Sequence, residues 1–185
     1  MIVAFDTSML ILLFDENARA PLDPVSKEPV SDSQSRLIFL VASLSGIKST
    51  KIVIPTPSIA ELLVRVKPHA ANDYLSQLHR IRGVKVAPFS ERAAIEFAEI
   101  QRGMLAESKA SKEEGQRRSK PKFDQQIVAI AKTEGASRIY SDDLGLEKYA
   151  KRFEIETIKT FELPLPPIDP QGAPLLEPPE AISDD

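Results

Sequence analysis

Residues 2–14 read IVAFDTSMLILLF, and the fold turns on how this stretch is taken. Thirteen largely apolar residues beside the N-terminus suggest a signal peptide. The stretch lacks the basic flank and the small-residue cleavage site of one, and Asp6 interrupts it. It is also too short to span a bilayer. It reads instead as a buried strand, Ile2–Phe5, running through an acid into a helix.

Further apolar runs rich in Val and Ile follow the same logic: Lys51–Pro55, Val84–Ala87, 138–141 and a weaker 156–160. Longer helical patterns separate them. Leu37, Leu40, Val41 and Leu44 share one face. Thr56 as N-cap and Pro57 at the first position open a helix "PSIAELLVRV". Helices over 72–82 and 91–105 come next. Phe123, Ile127, Ile130 and Ala131 mark a helix over 123–133, which Gly135 ends. Strands alternating with helices predict an α/β fold on a parallel sheet.

The chain of 185 residues is long enough for one compact domain with a real core. It contains no Cys, which removes disulfides and thiolate chemistry and suits a reducing cytoplasm. The expectation is a cytoplasmic protein with no membrane partner. The formal charge is −3, but 164–185 holds five acids and no base. Without that tail the remainder carries +2, so the globular part is mildly basic. The tail is Pro-rich, without periodicity, and is expected to be extended or disordered. Residues 17–36 hold three prolines and read as an inserted surface loop, and 108–122 carries six Lys or Arg against two Glu. No phosphate-binding glycine loop, dinucleotide fingerprint or nucleophile elbow is present. His69 and His79 are too far apart for a convincing pair and read as surface residues.

The acids that interrupt apolar segments carry the chemistry. Asp6 follows the first strand. Glu61 lies one turn into the helix after the second. Asp124 opens the helix before the fourth strand, and Asp142 and Asp143 follow that strand. In an open parallel sheet, ligands bind beyond the carboxyl ends of the strands, where strand order reverses. If strands 2 and 3 lie on one side of strand 1 and strands 4 and 5 on the other, all these acids gather at one edge. Like charges brought together raise one another's pKa unless a cation neutralises them. Oxygen ligands select Mg²⁺ or Mn²⁺, and such ions promote phosphodiester hydrolysis.

Each acid also has a plainer reading. Asp6 fits an Asx turn, Glu61 a capping box with Ser58, Asp124 the helix dipole, and one of Asp142 and Asp143 a helix cap. Arg117, Arg118, Lys120 and Lys122, just before Asp124, suit either a phosphate backbone or a solvated loop.

At this point the residues resemble the PIN-domain family, in particular VapC-like toxin ribonucleases. The marks are "FDTSML", "PTPSIAELL", "KFDQQIVAIAK" and "RIYSDDLGL", in that order along residues 1–163. The resemblance implies a three-layer α/β/α domain with a parallel sheet of order 3-2-1-4-5, which would span 1–163 and leave 164–185 outside. It implies a Mg²⁺- or Mn²⁺-dependent endoribonuclease, an antitoxin protein as partner, and a homodimer. Carried over, Asp6, Glu61, Asp124 and Asp143 are the catalytic and metal-binding acids, partly through water. Thr7, Ser8, Ser141 and Asp142 support them, with Ser141 at the hydroxyl position before the fourth acid. Gly145 and Leu146 depart from the acidic–aromatic pair common there. Two other readings stand beside this one. The first is a PIN-like RNA- or protein-binding module with weak catalysis. The second is a response-regulator phosphoacceptor, against which Pro88 and Ser90 count at the end of the third strand.

Overall fold

The computed structural model describes residues 1–15, 17–111 and 122–167, without the side chains of 105, 107–111 and 122. The expected basic residues Arg117, Arg118 and Lys120, and the tail beyond residue 167, lie outside these. Lys122 opens a helix, but its side chain is not among those described.

The chain runs β1 (Ile2–Phe5), α1 (Thr7–Phe14), α2 (Ser33–Gly46), β2 (Lys51–Pro55), α3 (Thr56–Val64), α4 (Ala71–Arg80) and β3 (Val84–Ala87). It continues through α5 (Glu91–Ser111), α6 (Lys122–Thr133), β4 (Arg138–Tyr140), α7 (Leu144–Ala150) and β5 (Glu156–Ile158). The five strands form one parallel sheet in the order β3-β2-β1-β4-β5. This is the expected order.

Alternation along the strands builds the two faces. Val3, Phe5, Ile52, Ile54 and Tyr140 point to one side, into a core with α1, α2, α3 and α4. Ala4, Val53, Ala87 and Ile139 point to the other, against α5, α6 and α7. Because both faces are covered, the strands read as continuous apolar runs. On the first face Phe5 and Tyr140 meet edge to face, ring centroids 5.3 Å apart. Such a contact contributes about 1 kcal/mol beyond area burial, and it sits directly beneath the ends of β1 and β4.

Several local expectations change. Thr56 is already helical, and Pro55 is the cap residue with no side-chain bond, so α3 starts one residue earlier. Ser58 therefore lies inside the first turn and closes no capping box with Glu61. The Pro-containing loop ends at Asp32, because residues 33–36 belong to α2. Helix α5 continues to Ser111, so the start of the expected basic loop is helical. Phe123 is half exposed and stands off the buried face, which Ile127, Val128, Ile130 and Ala131 make instead. Strands β4 and β5 stop at Tyr140 and Ile158, although Ser141 N still donates to Ile158 O. His69 and His79 are exposed, as expected.

Gly135 ends α6 with φ +76°, while Gly83 leads into β3 with φ +85°. A Cβ on Gly83 would lie 2.9 Å from Thr50 O. Gly83→Ala is expected to destabilise the fold by about 1 kcal/mol or more, read as a lowered urea midpoint.

Candidate functional site

The reversal of strand order lies between β1 and β4, and the polar residues collect at its carboxyl edge. Asp6 N donates to Tyr140 O across this gap, 3.2 Å. With no loop between β1 and α1, the Asp6 side chain turns back over its own helix as N-cap. Its Oδ1 accepts from Ser8 N at 2.7 Å and Met9 N at 3.3 Å. The plain reading of Asp6 as an Asx turn is correct for this oxygen.

Two hydroxyls connect Asp6 to the loop after β4. Ser8 Oγ donates to Asp6 Oδ1, 2.6 Å, and accepts from Asp142 N, 3.2 Å. Ser141 Oγ donates to Asp6 Oδ2 and accepts from Asp143 N, 3.0 Å. Asp6 is only 4% exposed and Ser141 fully buried. Burial pushes the Asp6 carboxyl up to about 6, against the opposing pull of Ser141, Ser8 and the helix N–H groups.

Asp143 is the N-cap of α7, with Oδ1 accepting from Gly145 N at 2.6 Å and Leu146 N at 3.3 Å. Gly145, which departs from the residues common at this position in the family that the sequence resembles, sits against two carboxylates. A Cβ there would stand 2.9 Å from Asp143 Oδ1 and 3.4 Å from Asp124 Oδ2. A side chain there would crowd both carboxylates, so glycine keeps the approach to each of them open. The Asp124 carboxyl is raised to about 6, first by burial, then by the charge of Asp143 and that of Glu61. Glu61 Oε2 accepts from Thr7 Oγ1, which ties α3 to the first turn of α1.

The structure thus brings Glu61 and Asp143 each within electrostatic reach of Asp124. Asp6 joins the loop of Asp143 through Ser8 and Ser141. Asp142 stands apart: its two oxygens accept from Thr160 N, 2.9 Å, and Thr160 Oγ1, 2.6 Å. Thr160 is expected from sequence only as the end of the fifth strand, since nothing local marks a partner eighteen residues away.

The donor set fits a hard divalent cation. All four groups are carboxylates, burial raises Asp6 and Asp124 to about 6, Asp124 also through its acidic neighbours, and Gly145 puts no side chain against Asp124 or Asp143. Among the described residues, however, no three acidic or imidazole side chains surround one point closely enough to hold an ion. Glu61 is turned toward Thr7, and both oxygens of Asp6 are engaged by protein donors. Electrostatic reach extends further than ligation distance, which is why the two observations differ.

No family model matches the chain, and no curated protein matches it in sequence. Solved structures do match in fold. A VapBC complex from Rickettsia felis, bound to a DNA fragment from its promoter, superposes with TM-score 0.53. It is 15% identical and covers 86% of this chain and 98% of that one. DNA-bound VapBC from Salmonella typhimurium gives 0.51 at 17% identity, over 86% and 98%. A Mycobacterium tuberculosis VapC toxin, described as cleaving the sarcin–ricin loop, gives 0.50 at 13% identity, over 79% and 93%. The chain therefore has the PIN-like fold of these structures. None of the described helices is long and apolar enough to cross a membrane.

Proposed function

We propose that this chain, built on the PIN-like fold, is a divalent-metal-dependent endoribonuclease and the toxin of a toxin–antitoxin pair. The observation that carries the reading is the reach of Asp143 and Glu61 to Asp124, at the strand edge where Asp6 is locked to the loop of Asp143. Asp6, Glu61, Asp124 and Asp143 would hold Mg²⁺ or Mn²⁺, in part through water. Bound there, such an ion supplies Lewis acidity toward a phosphate oxygen and makes water a better nucleophile.

The chain's own residues set the geometry. Ser8 and Ser141 fix the Asp6 carboxylate from both sides, and Thr7 orients Glu61. Gly145 keeps the approach to Asp124 and Asp143 open. Carboxylates alone repel a polyanion, so RNA binding here requires a cation or basic side chains, the role expected of Arg117 and Arg118 from their place in the sequence before Asp124. By analogy with the VapBC complexes, an antitoxin protein is the expected partner, covering the acid edge.

A second reading, a PIN-like RNA- or protein-binding module with weak catalysis, is favoured by the lack of a preformed three-carboxylate ion site. Direct Mn²⁺ titration separates the two, since the module binds no Mn²⁺ specifically.

The nuclease reading makes a pH prediction. Metal ligands must be deprotonated, and Asp6 and Asp124 ionise near 6. Cleavage of a single-stranded RNA at fixed Mn²⁺ should fall as pH drops through about 6. Raising Mn²⁺ should move that limb to lower pH, because the ion competes with the protons. A limb that stays fixed across Mn²⁺ concentrations, or cleavage that survives chelator, rejects the metal role.

A further inference from the structure

We propose that the clasp of Thr160 on Asp142 is the positioning element of the acid site, with Asp142 and Thr160 acting through Asp143 and Asp6. The inference rests on the nuclease reading above. Two adjacent aspartates leave β4 with comparable chances of facing the crevice. The structure distinguishes them by what each carboxylate holds. Both Asp142 oxygens are taken by one fully buried residue, Thr160, through its N–H and its hydroxyl.

From this clasp an unbroken chain of hydrogen bonds runs into the site. Asp142 N donates to Ser8 Oγ, Ser8 Oγ donates to Asp6 Oδ1, and Asp6 Oδ2 accepts from Ser141 Oγ. Ser141 Oγ accepts from Asp143 N, and Asp143 caps α7. These bonds set the loop 141–143 against its neighbours, and the clasp holds its outer side.

The segment that supplies Thr160 is itself anchored on other sides. Lys159 Nζ pairs with Glu147 of α7 at 2.9 Å. Leu163 O accepts from Arg36 Nη1 in α2, and Arg36 Nε donates to Ser31 O, 2.9 Å. The chain after β5 is thus a brace between α2, α7 and the site loop. It has two effects on the acids. It holds the backbone of Asp143 so that its carboxylate stays beside Asp124. It also keeps a further negative charge, that of Asp142, facing away from Asp6.

Thr160→Val keeps the N–H and the shape but removes the hydroxyl donor. The expected result is about tenfold weaker Mn²⁺ binding by direct titration, the size usual for loss of a group supporting a ligand. Cleavage should fall about tenfold at subsaturating Mn²⁺ and recover when Mn²⁺ is raised. Thr160→Ser, which restores the hydroxyl, should restore both. Gly83→Ala, which lowers stability far from the loop, should leave Mn²⁺ affinity unchanged. If Thr160→Val does not fold, Asp142→Asn keeps one acceptor for Thr160 N and should show the same tenfold weakening.

Unchanged Mn²⁺ affinity in a folded Thr160→Val or Asp142→Asn protein overturns the inference, as does equal weakening in Thr160→Ser or Gly83→Ala. If Asp6→Asn still abolishes Mn²⁺ binding in those cases, the nuclease reading stands without it. A parent protein that binds no Mn²⁺ overturns both.

Discussion

Asp6→Asn should lower RNA cleavage by about three orders of magnitude while leaving the protein folded. Asparagine keeps a carbonyl oxygen that can accept from Ser8 N, so the cap of α1 survives in part. The change removes the negative charge at the centre of the strand edge. It also leaves Ser141 Oγ without its acceptor on Oδ2. Loss of one carboxylate from a metal centre costs several kcal/mol of transition-state stabilisation, and about 4 kcal/mol is about a thousandfold in rate. The measurement is single-turnover cleavage of a labelled RNA with Mn²⁺, with circular dichroism to establish the fold. A folded Asp6→Asn protein that cuts as fast as the parent sinks the proposed mechanism.

Asp124→Asn should abolish cleavage and, in chelator at pH 7.5, make the protein more stable than the parent. The folded protein raises this carboxyl from 3.8 to about 6, so it favours the protonated form. That preference is fully present below about pH 4, where the unfolded chain is protonated too. It is lost as pH climbs through about 6, because the folded protein must then carry a partly buried charge, and one set against Asp143 and Glu61. Asparagine never ionises and escapes the loss. The shift alone would correspond to about 3 kcal/mol. Asp124 is partly open to solvent, and screening reduces the gain to about 1 kcal/mol. The gain should vanish at pH 4 and reverse with added Mn²⁺, which stabilises only the protein that binds it. Thermal unfolding at both pH values, with and without Mn²⁺, checks each part. A parent more stable than Asp124→Asn in chelator at pH 7.5 would show that Asp124 is a structural acid held by a favourable partner.

Much of the scaffold could be read directly from residue order. The Val- and Ile-rich runs mark strands because both sheet faces are covered, and the positions of the acids relative to those runs suggest a common edge. What failed was local or long-range in a way that spacing does not encode. Pro55 rather than Thr56 precedes α3, since Thr56 makes no side-chain cap and Pro55 already has the extended backbone that a cap residue needs. Phe123 fits the periodicity of α6 yet stands at its exposed first turn. The choice of Asp143 over Asp142 came from resemblance, and composition alone left it open. What separates the two in the structure is a threonine beyond β5 that binds Asp142, a contact that no helical or strand period reports. Gly145 likewise has meaning only once Asp124 is seen beside Asp143.

Strand β4, the next-to-last in the sequence, lies between β1 and β5, and β1 pairs directly with it. The four acids are drawn from residues 6, 61, 124 and 143, so the contacts that unite them span most of the chain. Contacts of such sequence separation close slowly, after the local helices have formed. A nascent chain that has not yet delivered β4 carries Asp6, Glu61 and Asp124 without Asp143 and without Ser141, the second of the two serines that hold Asp6. The acid edge is therefore assembled only after β4 and the segment of Thr160 have been delivered, so the proposed nuclease would stay inactive while its chain is still being made.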